Sequence, residues 1–139
     1  MTQVFADTNL FLRYFTNDVP EQADQVDGLL QAAKNREIQL VTTAMVIAEV
    51  VWTLNSFYKL SREDIRDRVL AIVNTPGLLV ADANLLVEAA INYVNKNVDF
   101  IDAYNVAWMK KSKVEKACTF DRKHFLRFDE ITVVSPDEI

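Results

Sequence analysis

Hydrophobic and polar positions along the chain change between two periods, which predicts short strands separated by helices. Short, mainly apolar runs predict strands at Gln3–Ala6, Ile38–Val41, Leu78–Ala81, Lys116–Phe120 and Ile131–Val134. Between them, apolar residues recur three and four positions apart, as on one face of a helix. The predicted helices run from Thr8 or Asn9 to Phe15, Pro20 to about Ala33, Thr42 or Thr43 to about Tyr58, Ser61 to about Val73, Ala83 to Asn95, and Asp99 or Phe100 to Ser112.

The alternation of strands and helices predicts the fold class. A helix between two strands allows a crossover connection, so the strands are expected to form a mainly parallel sheet covered on both faces. The expected architecture is an α/β fold, a three-layer α/β/α sandwich. With 139 residues, no repeat and no linker-like segment, the chain is expected to form a single domain over residues 1–139.

The composition limits the setting of the protein. No apolar run approaches the roughly 18 residues of a membrane span, and the first residues do not resemble a secretory signal, so a cytoplasmic protein is expected. The single cysteine, Cys118, cannot form an internal disulfide and is predicted to lie in the core.

The charge is unevenly distributed. A net charge of −5 argues against a protein that holds nucleic acid by overall positive charge. However, seven of the fifteen Lys and Arg residues lie between Lys110 and Arg127, where Glu115 and Asp121 are the only acids. This segment predicts a local basic patch on an acidic protein.

Two acidic residues directly follow predicted strands. Asp7 follows the first strand and Asp121 follows the fourth. In open parallel sheets, ligands bind outside the carboxyl ends of the strands, so both positions are candidates for a functional site. The alternative is structural, because aspartate commonly caps helices and turns.

Glu49 and Asp102 are acids within apolar helices. Glu49 lies in AMVIAEVVWTL, a helix that is apolar on every face and is therefore expected to be buried. A buried carboxylate must be paired, protonated, bound to a metal or directed to a wet cleft. Asp99 and Asp102 lie three residues apart in VDFIDAYNVAWMKK, on one face at the start of a helix. Stabilisation by the helix dipole explains Asp99 fully, so Asp102 is the stronger functional candidate.

A common explanation for these acids is a hard divalent cation. Asp7, Glu49, Asp102 and Asp121 come from four separate segments, and clustered carboxylates without a cation would repel one another. Mg²⁺ and Mn²⁺ prefer oxygen ligands. The sequence therefore predicts that the four carboxylates converge on one metal site.

The chain contains four short motifs, which are FADTN, the glutamate in the helix after the second strand, DAYNVA and TFDRKHF. The order of these motifs resembles that of the PIN domain. The resemblance covers nearly the whole chain and is greatest to the single-domain VapC-type ribonuclease toxins of prokaryotic toxin–antitoxin pairs. It implies a five-stranded sheet in the order 3-2-1-4-5 and a Mg²⁺- or Mn²⁺-dependent endoribonuclease. It also implies a homodimer whose activity is inhibited by a cognate antitoxin protein.

The resemblance assigns roles to individual residues. Asp7, Glu49, Asp102 and Asp121 match the catalytic, metal-binding acids, with Asp99 as an accessory. Thr8 and Asn9 match the polar residues that support the first acid. Five basic residues are further candidates for steering the RNA backbone, although a solvated helix face also explains the lysines: Arg13, Lys110, Lys111, Arg122 and Lys123. His124, the only histidine, has no evident partner in the sequence and is expected to be a surface or structural residue.

Two other function classes place acids in comparable positions. An aspartate-based phosphatase or phosphoreceiver domain also has aspartates at parallel strand ends, but a phosphatase of the haloacid dehalogenase type requires a second aspartate where Asn9 stands. A non-catalytic nucleic-acid-binding module would use the basic patch alone. The presence of an acid at all four expected positions favours a metal-dependent nuclease.

Overall fold

The computed structural model describes residues 1–139 and divides into two compact units, Met1–Ala83 and Asn84–Ile139. The first unit contains β1 (Thr2–Phe5), α1 (Thr8–Thr16), α2 (Pro20–Lys34), β2 (Ile38–Thr42), α3 (Ala44–Ser56), α4 (Arg62–Val73) and β3 (Leu78–Val80). The second unit is built from α5 (Ala83–Asn95), α6 (Phe100–Lys111), β4 (Lys116–Cys118) and β5 (Thr132–Val134), with two 3₁₀ turns at Phe125–Arg127 and Pro136–Glu138.

The sheet of the first unit contains three parallel strands in the order β1-β2-β3. Two helices connect each strand to the next, which allows the parallel pairing. In register, Val4 pairs with Leu40 and Leu40 with Leu78. Side chains alternate between the faces of a strand, so Leu40 and Leu78 belong to the buried face. Phe5 and Leu79 belong to the opposite face and are 54% and 56% exposed.

Local signals set the boundaries of the helices and turns. The side chain of Thr43 accepts a hydrogen bond from the backbone N–H of Val46 and caps α3, and Ser61 caps α4 in the same way through Asp64. Gly77 has a φ of +80°, and a Cβ at this position would collide with the backbone of Ala33. Only glycine therefore fits the turn that leads into β3.

The helix α3 buries one side and exposes the other. Its buried residues are Val46, Ile47, Val50, Val51 and Leu54. On the opposite side Met45 is 81% exposed and Trp52 is 68% exposed, and Phe57, which follows the helix, is 72% exposed. The prediction that this helix is buried on every face was therefore wrong, because an apolar sequence shows only that burial is possible. We call Met45, Trp52 and Phe57 the α3 patch.

The strands of the second unit form a separate parallel pair, β4 with β5. The neighbours 3-2-1 and 4-5 of the predicted order are present, but the strands form sheets of three and two strands instead of one five-stranded sheet. Strands β4 and β5 have three residues each, and Ala117 pairs with Val133 at the centre of their ladder. The predicted α/β class with parallel strands is confirmed.

Cys118 is exposed, so the prediction that it lies in the core was wrong. The reason is that Ala117 occupies the inward-facing position of the three-residue strand β4. None of the helices has the length and apolar character needed to cross a membrane.

Candidate metal centre

The start of helix α6 carries two of the predicted acids. Asp99 is the N-cap residue and Asp102 lies in the first turn. Asp99 makes no side-chain capping hydrogen bond, so its carboxylate is not used to cap the N-terminus of the helix. The side chain of Asp99 is 67% exposed and that of Asp102 is 23% exposed. Both carboxylates are therefore available to a ligand that approaches from solvent.

His124 joins these two carboxylates. Its Nδ1 lies 3.0 Å from Oδ2 of Asp102 and 3.4 Å from Oδ2 of Asp99. The imidazole is only 16% exposed. One ligand atom from each of Asp99, Asp102 and His124 lies within 4.8 Å of the other two. We call these three residues the Asp-Asp-His cluster.

The segment that carries His124 is anchored to the loop before α6. The guanidinium of Arg127 donates hydrogen bonds to the carbonyls of Lys96 and Asn97, and the Lys96 ammonium lies 5.7 Å from the ring centroid of Phe128. Phe128 itself is fully buried. These contacts hold the 3₁₀ turn after His124 against the residues that precede Asp99. The imidazole is thereby directed to the start of α6.

Asp121 lies outside the Asp-Asp-His cluster. It follows β4, and its backbone N–H donates to Oγ1 of Thr119, 3.0 Å away, in a tight turn. The turn is made by the backbone of Asp121 and the side chain of Thr119, so the Asp121 carboxylate is not needed to form it. That carboxylate is exposed and makes no hydrogen bond or ion pair.

The first unit carries the remaining predicted acids. Asp7 is the N-cap residue of α1, but its exposed side chain makes no capping hydrogen bond, so the structural alternative for this residue does not apply. Glu49 is exposed, and no basic side chain pairs with it. The expected burial of Glu49 was therefore wrong, because it lies on the exposed side of α3. Thr8 is 5% exposed, whereas Asn9 is exposed.

The predicted RNA-steering residues differ in their surroundings. Arg13 pairs with Asp18 at 3.4 Å and donates to Gln22, and Lys110 lies 3.6 Å from both Glu88 and Glu130. Arg122 pairs with Glu138 at 3.3 Å and donates to the carbonyl of Val133. Lys111 and Lys123 are exposed and form no ion pair. These two lysines are therefore the predicted cations most accessible to a phosphate.

His124 is the site residue that sequence reasoning missed. The expectation that it lacks a partner was wrong, since it contacts both Asp99 and Asp102. The available signal was its position three residues after Asp121, in a segment that follows a strand end. Its partner Asp102 lies 22 residues earlier in the chain, so no local sequence pattern reveals the contact.

The parallel strands and the Asp-Asp-His cluster define an α/β protein with a candidate divalent-metal centre. The PIN domain family matches residues 4–131, and the chain belongs to this family. PIN domains are generally metal-dependent nucleases. A search among curated proteins found no match.

The residues present fit the divalent cation that the family implies. Carboxylate oxygens are the preferred ligands of Mg²⁺ and Mn²⁺, and imidazole nitrogen is a common ligand of first-row transition-metal ions. Asp99, Asp102 and His124 offer two carboxylates and one imidazole within 4.8 Å of one another. The cluster can therefore bind a metal ion.

Proposed function

We propose that this protein is a divalent-metal-dependent endoribonuclease that hydrolyses RNA phosphodiester bonds, and that it is the toxin of a prokaryotic toxin–antitoxin pair. The observation that carries the proposal is the Asp-Asp-His cluster in a member of the PIN family. Three further acids, Asp7, Glu49 and Asp121, are exposed and unpaired. Their carboxylates are therefore accessible to a ligand.

The proposed metal ligands are Asp7, Glu49, Asp102 and Asp121, with Asp99 as an accessory, and the ion is Mg²⁺ or Mn²⁺. When bound, the ion supplies the polarisation of an attacking water and offsets negative charge on the scissile phosphate. The carboxylates hold the ion and do not attack the phosphate themselves. Asp99 and Asp102 lie at the N-terminus of α6, where the helix dipole favours negative charge.

RNA is the proposed substrate, although the protein has a net charge of −5. Contacts to phosphate are expected mainly from Lys111 and Lys123, since neither has an intramolecular partner. Arg13, Lys110 and Arg122 are proposed as weaker contributors, because each must leave an acidic partner to bind a phosphate. Thr8 and Asn9 are proposed to support Asp7 from the first turn of α1.

Two protein partners are part of the proposal. The α3 patch exposes three large apolar side chains, a surface typical of protein contacts. We assign it to a homodimer interface. Glu49 lies one helical turn from both Met45 and Trp52, at the edge of this patch. The cognate antitoxin is expected to inhibit the nuclease by restricting access to the acidic side chains.

The deciding experiment is incubation of the purified protein with total RNA, first with Mn²⁺ and then with an excess of chelator. Cleavage is expected with Mn²⁺ and not with chelator. Asp102→Asn should be inactive, whereas Asp24→Asn, which changes an exposed acid on α2, should cleave normally. Cleavage that persists in chelator would remove the metal mechanism.

The same experiment separates the alternatives. RNA binding without cleavage, unaffected by Asp102→Asn, would indicate a non-catalytic PIN-like binding module. Hydrolysis of a phosphomonoester or uptake of phosphate from a small phosphodonor, without RNA cleavage, would indicate an aspartate-based phosphatase or phosphoreceiver domain.

A further inference from the structure

The Asp-Asp-His cluster contains a nitrogen donor that the acidic site proposed above does not include. Nδ1 of His124 lies 3.0 Å from Oδ2 of Asp102 and 3.4 Å from Oδ2 of Asp99. In an octahedral site with bonds of about 2.1 Å, neighbouring ligand atoms lie about 3.0 Å apart. The spacing of the Nδ1 and Asp102 oxygen atoms therefore suits two ligands of one ion.

The hydrogen-bond donors and acceptors around Nδ1 lead to the same site. Nδ1 of His124 lies 3.0 Å from Oδ2 of Asp102, 3.4 Å from Oδ2 of Asp99 and 3.3 Å from the backbone nitrogen of Asp99. In one tautomer Nδ1 carries a proton and donates it to the Asp102 carboxylate; in the other its single lone pair is free to accept. A divalent cation can take the place of that proton, because it binds the lone pair of Nδ1 and the carboxylate oxygens together.

Burial distinguishes His124 from a surface histidine. Its side chain is only 16% exposed, and the anchored segment that ends in Phe128 restricts its movement. A ligand held in advance loses little conformational freedom when the ion binds. The position of the imidazole is thus fixed by the fold before any metal arrives.

We propose that Nδ1 of His124 is a direct ligand of the divalent cation, together with Asp99 and Asp102, and that it makes the site prefer Mn²⁺ to Mg²⁺. Imidazole nitrogen is a poor ligand for Mg²⁺, which prefers oxygen, whereas transition-metal ions bind it well. Because this role assumes the metal site of the proposed nuclease, its test measures metal binding separately from RNA cleavage.

The direct test is pulsed electron paramagnetic resonance of the full chain loaded with Mn²⁺ alone. His124 is the only histidine, so an imidazole nitrogen coupling to Mn²⁺ identifies this residue without ambiguity. The coupling is expected in the wild-type protein and absent from His124→Asn. Failure of the wild-type protein to bind Mn²⁺, or bound Mn²⁺ without an imidazole coupling, would overturn the proposal.

The second test measures selectivity by competition of Mg²⁺ against bound Mn²⁺. Asn places an oxygen near the position of Nδ1, so His124→Asn should retain a site but lose preference for Mn²⁺ by about tenfold. Asp129→Asn, an exposed acid in the same unit but outside the cluster, should leave the preference unchanged. An unchanged preference in a folded His124→Asn protein would contradict the assignment.

The outcomes separate this inference from the proposed function. RNA cleavage that depends on Mn²⁺, with no nitrogen coupling, would refute the His124 ligand and leave the nuclease intact. Nitrogen coupling without any RNA cleavage would support the ligand and refute the nuclease.

Discussion

Nδ1 of His124 lies 3.0 Å from the carboxylate of Asp102, although 22 positions of sequence separate the two residues. One residue belongs to the first turn of α6, and the other follows β4. The contact depends on the hydrogen bonds from Arg127 to the loop that precedes α6. The candidate metal centre is therefore a product of how the second unit folds, and no local motif contains it.

Metal binding at this centre should stabilise the protein. At a Mn²⁺ concentration 100 times the dissociation constant, binding to the folded state alone should raise the free energy of unfolding by about 2.7 kcal/mol. Asp102→Asn should abolish most of this gain, because the amide has no charge to attract the ion. Thermal unfolding with Mn²⁺ and with chelator measures the effect. Equal midpoints in both conditions would contradict a metal site.

Asp7→Asn should abolish RNA cleavage without loss of the fold. The loss of one metal-binding carboxylate should lower the cleavage rate by about 100-fold or more. Stability should not fall, since the side chain is exposed, makes no capping hydrogen bond and is replaced by an equally good N-cap residue. Cleavage of a labelled RNA and circular dichroism melting check both statements, with Asp24→Asn as the control. Normal cleavage by Asp7→Asn would end its catalytic assignment.

Tyr58→Phe should change how the free energy of unfolding depends on pH, because it removes a hydrogen bond to the Asp18 carboxylate. The Tyr58 hydroxyl donates a hydrogen bond to the Asp18 carboxylate, 2.6 Å away. This bond is the main reason why the pKa of Asp18 is lowered from its usual value of 3.8, and Thr16 and Arg13 lower this pKa further. A carboxyl with a lowered pKa stabilises the fold above its unfolded pKa, and the stabilisation disappears as pH falls through the folded pKa. The stability difference between wild type and Tyr58→Phe should therefore be present at neutral pH, begin to decrease near pH 3.8 and disappear as the pH falls through the lower pKa of folded Asp18.

Titration of the Asp18 carboxyl by nuclear magnetic resonance tests this directly. Its pKa should rise in Tyr58→Phe and stay unchanged in Tyr14→Phe, which alters an exposed tyrosine of α1. The same pKa in Tyr58→Phe and wild type would show that the hydrogen bond has no energetic role.

Trp52→Glu should weaken the proposed homodimer. Trp52 is 68% exposed, so a charge there should not harm the folded chain but would be costly inside an apolar interface. Wild-type protein should sediment as a dimer and show a melting midpoint that rises with protein concentration. Leu126→Glu is the control, because Leu126 is an apolar residue that is 59% exposed and lies outside the α3 patch. The Leu126→Glu protein should remain dimeric. A monomeric wild type, or a Trp52→Glu protein that still dimerises fully, would exclude this interface.

Secondary structure was largely predictable from the sequence. Helix α3 begins after Thr43 and α4 after Ser61, at the starts predicted for them, and both residues cap their helices through their side chains. These features depend on hydrogen bonds and backbone angles within a few residues. Neighbours in sequence suffice to specify them.

Burial was predicted less well, because apolar composition does not specify which face of a helix meets the core. Glu49 and Trp52 lie on α3, whose sequence is apolar all round, yet both are exposed. Cys118 was expected in the core and lies on the outer side of β4. Each outcome depends on which other elements cover the residue.

The sequence by itself determined the order of helices and strands, their parallel pairing within each sheet, and the presence of acids after two predicted strands and within two helices. Only the tertiary structure decided that Asp99 and Asp102 share a site with His124 and that Asp121 lies outside this cluster. The physical reason is range: capping and periodicity act over a few residues, whereas a metal centre needs side chains from distant segments within a few ångströms. That approach is set by the packing of whole elements.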